Sequence, residues 1–139
     1  MHLRDATQAD ILYVASHSIS GNSAKAPYLQ KESVFTLEYE GEILGVGGIR
    51  PITATTAMAW IDASDKAFTD RRRTVNIVKQ LEAWIQEMQT VYNFHRLQAY
   101  VEVDFTKGIT LVEHLGFKPE SRMKEFFGDK DVFLFVRFF

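Results

Sequence analysis

Residues 55–103 read TTAMAWIDASDKAFTDRRRTVNIVKQLEAWIQEMQTVYNFHRLQAYVEV. Residues 55–63 are a β-like run, Thr-Thr-Ala-Met-Ala-Trp-Ile-Asp-Ala. From about Asp70 to Tyr92 the period changes. Val78, Leu81, Ile85 and Met88 recur at helical spacing, and Ile77 and Trp84 widen that stripe. Leu97, Ala99, Val101 and Val103 then alternate with Gln98, Tyr100 and Glu102, which is the pattern of a half-buried strand. A strand, a long helix and a strand in succession predict a right-handed crossover joining two parallel neighbours.

Working outward, residues 2–5 read as a short opening strand. Thr7-Gln8-Ala9-Asp10 fits a capping box, in which a hydroxyl and a carboxylate three residues apart each satisfy an orphan amide. Leu12, Ala15 and Ile19 follow at helical spacing. Ser18 to Pro27 reads as a loop and residues 27–33 as a short helix. A hairpin is predicted from Val34–Glu40 and Glu42–Ile49, turning at Glu40-Gly41. Gly45, Gly47 and Gly48 inside its second strand point to a bulge or a close backbone approach.

On the other side, Asp104 is placed to cap a helix over 105–115, with Gly116 as its C′ glycine and Phe117 as the accompanying apolar contact. Strands over 120–127 and 131–138 flank Gly128-Asp129-Lys130. The order β-α-α-β-β-β-α-β-α-β-β places the chain in the α/β (α+β) class. It predicts a mixed, twisted central sheet of about seven strands with helices on both faces.

The 139 residues suit one domain, 1–139. The chain has no cysteine, which excludes disulfides, thiolate metal sites and a cysteine nucleophile. Apolar residues make up 46% and charged residues 24%, and the net charge of −2 provides no general attraction to nucleic acid. No apolar run is long enough to span a membrane, and Met1 to Asp5 begins no apolar signal stretch. The expectation is a soluble, cytoplasmic protein that binds neither nucleic acid nor membrane.

The element order resembles that of the GCN5-related N-acetyltransferase superfamily over essentially the whole chain. Residues 3–11, LRDATQADI, resemble its opening strand and first cap. Residues 41–48, GEILGVGG, resemble its second hairpin, and residues 111–117, LVEHLGF, its late helix ending in Gly-Phe. A narrower resemblance lies in residues 59–65, AWIDASD, the basic helix start, and residues 100–103, YVEV. These are similar to small acetyltransferase-like proteins grouped with the internal virion protein A of short-tailed phages. The resemblance implies transfer of acetyl from acetyl-CoA to a small-molecule or protein amine. The alternative is a non-catalytic phage protein of this fold, associated with the virion or bound to a host factor.

The resemblance also implies where the cofactor would lie. The strands 55–63 and 97–103 would part near Ala63 and Asp104, with Ile61, Asp62 and Ala63 offering backbone to the pantetheine arm. The pyrophosphate would meet amides at the start of the long helix, where unpaired N–H groups and a positive dipole end favour an anion. The superfamily loop, Gln/Arg-x-x-Gly-x-Gly/Ala, is matched best by Arg71-Arg72-Arg73-Thr74-Val75-Asn76, which lacks both glycines. Guanidinium forks suit phosphate oxygens, so the three arginines are set against that loss. They equally describe a solvated helix start, although cations there oppose the helix dipole by a few tenths of a kcal/mol.

The acid that the superfamily often places on its late helix is a tyrosine, and the matching position here is Val112, which donates no proton. Loss of a positioned acid costs about 10²–10⁴ in rate. His114, two residues on, points to another side of a helix. Asp62 and Glu102, near the ends of the two central strands, are the candidate bases, and Tyr100 is the candidate acid. Each has a plainer reading, since a carboxylate at a strand end often caps a helix or pairs with arginine. His2, His17, His95 and His114 show no ligand spacing, so no metal is expected. Ser64 lacks a nucleophile elbow. The aromatic strand ending in Phe138 and Phe139 is a surface on which a protein partner could dock.

Overall fold

Glu40 and Gly41 both lie at positive φ, +49° and +79°, the left-handed pair that a two-residue hairpin turn requires. They join β2 (Val34–Tyr39) to β3 (Glu42–Pro51), with Tyr39 opposite Glu42. The computed structural model describes residues 1–17 and 34–139. The predicted helix over 27–33 and the loop from Ser18 to Pro27 before it lie outside the described residues. The remaining elements are β1 (His2–Asp5), α1 (Gln8–His17), β4 (Thr56–Ala63), α2 (Arg71–Tyr92), β5 (Arg96–Glu102), α3 (Thr106–His114), β6 (Lys118–Phe127) and β7 (Lys130–Phe138). The seven strands among the described residues form one mixed sheet in the order β1-β2-β3-β4-β5-β7-β6.

Among the described residues, 1–17, 34–50 and 60–84 form one compact unit; residues 51–59 and 85–139 form a second. In the first, β1 pairs antiparallel with β2. The expected capping box is present: the Asp10 amide donates to Thr7 Oγ1 at 3.2 Å and the Thr7 amide to Asp10 Oδ2 at 2.8 Å. Of the expected apolar positions of α1, Ala15 is half-buried, Ile19 lies outside the described residues, and Leu12 faces outward. Leu12 is 61% exposed, and the buried α1 side chains are Asp10 and Val14. The ion pair at Asp10 decides this, because it turns the Asp10–Val14 face of α1 inward. Phe35, Leu37, Leu44 and Val46 supply core from the hairpin, Ile77 and Leu81 from α2, and Phe35 lies 4.5 Å from the Trp84 ring.

The glycines of β3 mark close backbone approach, as expected. A Cβ on Gly47 would lie 2.6 Å from Phe35 Cζ and 2.8 Å from the Trp60 carbonyl oxygen; one on Gly45 would lie 2.9 Å from that of Asp62. No side chain fits at those distances.

In the second unit, β5 pairs antiparallel with β7, and β7 with β6. Leu97, Ala99 and Val101 are buried as the alternation predicts. Asp104 does not cap α3. The cap residue is Phe105, with no side-chain cap hydrogen bond, and the Asp104 carboxylate instead approaches Lys130 Nζ at 3.5 Å. The other end of α3 follows the sequence. Gly116 lies at φ +83°, its amide donates to the Glu113 carbonyl at 3.0 Å, and the Phe117 amide donates to that of Val112 at 3.0 Å. That is a Schellman closure with a glycine where a Cβ would be strained. At the chain end, Phe139 packs edge-on against Phe94 at 5.4 Å, beneath the Arg137 guanidinium.

Candidate functional site

The parallel ladder between β4 and β5 is short. It runs from Thr56↔Arg96 through Ala57↔Leu97 to Met58↔Gln98. β4 continues to Ala63 and β5 to Glu102 beyond that last rung, so the ladder ends well before Ala63 and Asp104, where the strands were expected to part. On its other edge β4 is fixed to β3. The Ser64 amide donates to the Leu44 carbonyl at 2.8 Å and Ser64 Oγ to that of Ile43 at 3.1 Å. Within this arrangement Asp62 is only 6% exposed, Ala63 is buried and Ile61 is half-buried. Ser64 is fully buried and engaged by β3, a structural role in keeping with its lack of an elbow.

The connection from Ser64 to Asp70 carries no glycine, yet its polar groups are well satisfied. The Lys66 amide donates to Ser64 Oγ, the Ala67 amide to the Ser64 carbonyl, and Thr69 Oγ1 to the Lys66 carbonyl. Asp70 is the cap of α2. Its Oδ1 accepts from the Arg73 amide at 2.7 Å, and its carbonyl accepts from the Thr74 amide at 3.1 Å. A carboxylate directly before a helical stripe is a sequence signal for this role.

Arg71, Arg72, Arg73, Thr74, Val75 and Asn76 are the first six residues of α2, not a loop ahead of it. Arg71, Arg72 and Val75 are exposed, while Thr74 and Asn76 are half-buried. Neither Arg71 nor Arg72 has an ion-pair partner among the described residues. Arg73 differs from both: its side chain is 17% exposed and turned to Glu42 Oε2 at 3.3 Å and to the Lys66 carbonyl at 2.9 Å. Its guanidinium carbon lies 5.1 Å from the Tyr39 ring centroid. Sequence reasoning missed Asp70, Glu42 and Tyr39 as parts of this cluster. The amide of Arg73 is engaged by Asp70, so the groups suited to an anion at this helix start are the Arg71 and Arg72 side chains and the first amides, which no intrahelical carbonyl can reach.

In the second unit, Tyr100 is 36% exposed, and its ring lies 4.8 Å from that of Phe126. Glu102 is half-buried at the last rung of the β5–β7 ladder, opposite Val132. Asp104 is exposed and paired with Lys130. Val112 is 8% exposed and belongs to the core. His114 Nδ1 lies 2.8 Å from the Thr110 carbonyl on its own helix, the local role expected of a histidine without a catalytic partner. Among the described residues, no cluster of three or more His, Asp or Glu is placed to hold a metal.

No protein-family model matches the chain. It is 30% identical over 84 residues to the uncharacterized N-acetyltransferase YjgM of Escherichia coli strain K12; that match takes in 60% of this chain, and the chain spans half the length of that relative. Solved structures match along nearly the full length. Ard1 from Thermoplasma volcanium is similar at a TM-score of 0.76 and 18% identity, over 98% of this chain and 95% of that one. An acetyltransferase of the GNAT family from Elizabethkingia anophelis, with acetyl-CoA bound, is similar at 0.72 and 17% over 99% and 97%. A ribosomal-protein-alanine N-acetyltransferase from Brucella melitensis is similar at 0.70 and 17% over the whole of both chains. The chain has the GCN5-related N-acetyltransferase fold.

Proposed function

We propose that the chain is an N-acetyltransferase that uses acetyl-CoA and an amine acceptor. The observation that carries this reading is the β4–β5 ladder, which ends at Met58↔Gln98 while both strands run on. β4 runs on past that last rung to Ala63 and is followed by a helix start with two outward arginines. The match to YjgM and the acetyl-CoA-bound structural neighbour support it.

In this reading the backbone of Ile61, Asp62 and Ala63 orients the pantetheine arm, and Arg71, Arg72 and the first amides of α2 hold the pyrophosphate. Thr74, Val75 and Asn76 lie in the next turn of that helix, and Asp104 is a further contact. Acetyl-CoA, when bound, supplies the acetyl group and a thiolate leaving group. The acceptor must arrive as a neutral amine. A carboxylate of Glu102 or Asp62 takes the proton released as nitrogen attacks the carbonyl carbon, and the Tyr100 hydroxyl returns one to the sulfur as the C–S bond breaks. Spermidine and ribosomal-protein alanine, the acceptors in the names of two structural neighbours, are the first to try. A phage origin, resting on the likeness of residues 59–65 and 100–103, and a cytoplasmic setting belong to the same proposal.

The test is direct. Acetyl-CoA is titrated into the purified chain by calorimetry, and thiol release is then followed with a panel of amines. Binding in the micromolar range and amine-dependent thiol release are expected. The absence of heat and of any thermal shift at millimolar acetyl-CoA would sink the proposal.

A further inference from the structure

Arg73 sits beside two arginines that face outward, yet its surroundings set it apart. Its Nη1 donates to the Lys66 carbonyl at 2.9 Å and to Glu42 Oε2 at 3.3 Å, and its guanidinium lies over the Tyr39 ring at 5.1 Å. Lys66 Nζ approaches the other oxygen of the same Glu42 carboxylate at 3.9 Å. Arg73 Nε is buried and has no hydrogen-bond partner among the described residues. A phosphate ligand needs its donors turned outward and free. Arg73 has donors engaged by the protein and its Nε closed off from solvent.

These partners share a location. Tyr39 and Glu42 bracket the Glu40-Gly41 turn, and Lys66 lies in the middle of the connection that leads to α2. The start of that connection is held to β3 by Ser64, through its amide and its hydroxyl. We propose that Arg73 is a positioning residue: with Glu42 and Tyr39 it clamps the 64–70 connection onto the β2–β3 turn and so sets where the first turn of α2 stands. Its bearing on acetyl-CoA rests on the function proposed above; the clamp itself does not. Arg71 and Arg72 are then the arginines that meet the cofactor's phosphates, and Arg73 acts through the backbone that carries them.

Glu42 separates this role from that of a ligand by the sign of its effect. If Arg73 were a phosphate ligand, Glu42 would compete for it, and Glu42→Ala would tighten acetyl-CoA binding. If Arg73 is a clamp, Glu42→Ala loosens the connection and weakens binding, although it removes a negative charge. Two measurements on the whole chain decide: calorimetry with acetyl-CoA, and amide hydrogen exchange over residues 64–70 without cofactor, in wild type, Glu42→Ala, Arg73→Ala, Arg72→Ala and the charge-swapped pair Glu42→Arg with Arg73→Glu.

Loss of a charge-assisted contact predicts about tenfold faster exchange in Glu42→Ala and Arg73→Ala, and about tenfold weaker acetyl-CoA binding in both. The swapped pair recovers part of each. Arg72→Ala weakens binding and leaves exchange over 64–70 unchanged. Tighter binding in Glu42→Ala overturns the proposal, as does unchanged exchange in both single variants. Faster exchange in these variants, with no acetyl-CoA heat even for wild type, supports the clamp and removes the cofactor reading instead.

Discussion

Arg4 and Asp10 form a two-pronged ion pair, Nη1 to Oδ2 at 2.7 Å and Nη2 to Oδ1 at 2.9 Å, that ties β1 to the start of α1. The carboxylate also accepts from the Thr7 amide and from Thr36 Oγ1 at 2.9 Å on β2. Hydrogen bonding from Arg4, foremost among these, holds the Asp10 carboxyl well below the usual carboxylate range and keeps the Arg4 guanidinium above its own. A depressed carboxyl contributes stability above its unfolded value near pH 4 and loses it as pH falls towards the folded value. The chain is therefore expected to weaken steadily below about pH 5. Asp10→Asn should cost about 2–3 kcal/mol at pH 7, because it removes the buried one of the two carboxylates that Arg4 meets and leaves it only Glu38, at 3.1 Å, and should flatten the acid limb. Urea melts at pH 7 and pH 3 measure both effects.

Gly47→Ala is expected to destabilise the first unit by about 2 kcal/mol or more, since the new methyl would meet the Trp60 carbonyl as well as the Phe35 ring. A ring can shift, whereas a strand carbonyl cannot. Denaturation that leaves Gly47→Ala as stable as wild type would contradict the close approach of β3 to β4.

Arg72→Glu should weaken acetyl-CoA binding by about 30-fold or more, because it reverses a charge at an anion site. The loss should shrink as salt is raised, the mark of an exposed charge contact. Calorimetry at two ionic strengths gives both numbers, and a salt-independent loss would point to misfolding rather than to charge.

Tyr100→Phe keeps the ring against Phe126 and removes only the hydroxyl. As the proposed acid, its loss should lower kcat by about 10²-fold with little change in KM for acetyl-CoA. Val112→Tyr, in contrast, should not raise turnover. The site is part of a packed core, and the larger ring should cost about 1–3 kcal/mol in a thermal melt.

Much of the fold was legible because local chemistry fixed it. The Thr7–Asp10 box, the Glu40-Gly41 turn and the Gly116 closure each rest on backbone groups within a few residues, and each stands where the sequence placed it. What failed depended on distant partners. Leu12 points outward because the Asp10 side chain reaches Arg4 and Thr36, and nothing in the spacing of α1 carries that information. Asp104 turned to Lys130, 26 positions on, and left the cap to Phe105. The arginine triplet shows the same limit. Successive helical residues point about 100° apart, so three identical side chains in a row face three environments. Which of them turns inward is decided by Glu42 and Tyr39, about thirty positions earlier.

At the far end of the strand order lies β6, whose ten residues are exposed at every position but Met123. It carries Pro119 and two breaks in register, between Pro119 and Ser121 and between Met123 and Phe127, and its side chains bear both signs of charge. A margin so irregular offers no continuous row of donors and acceptors for a like chain to zip against. Copies of this molecule crowded together have no template along that rim for growing a shared ribbon.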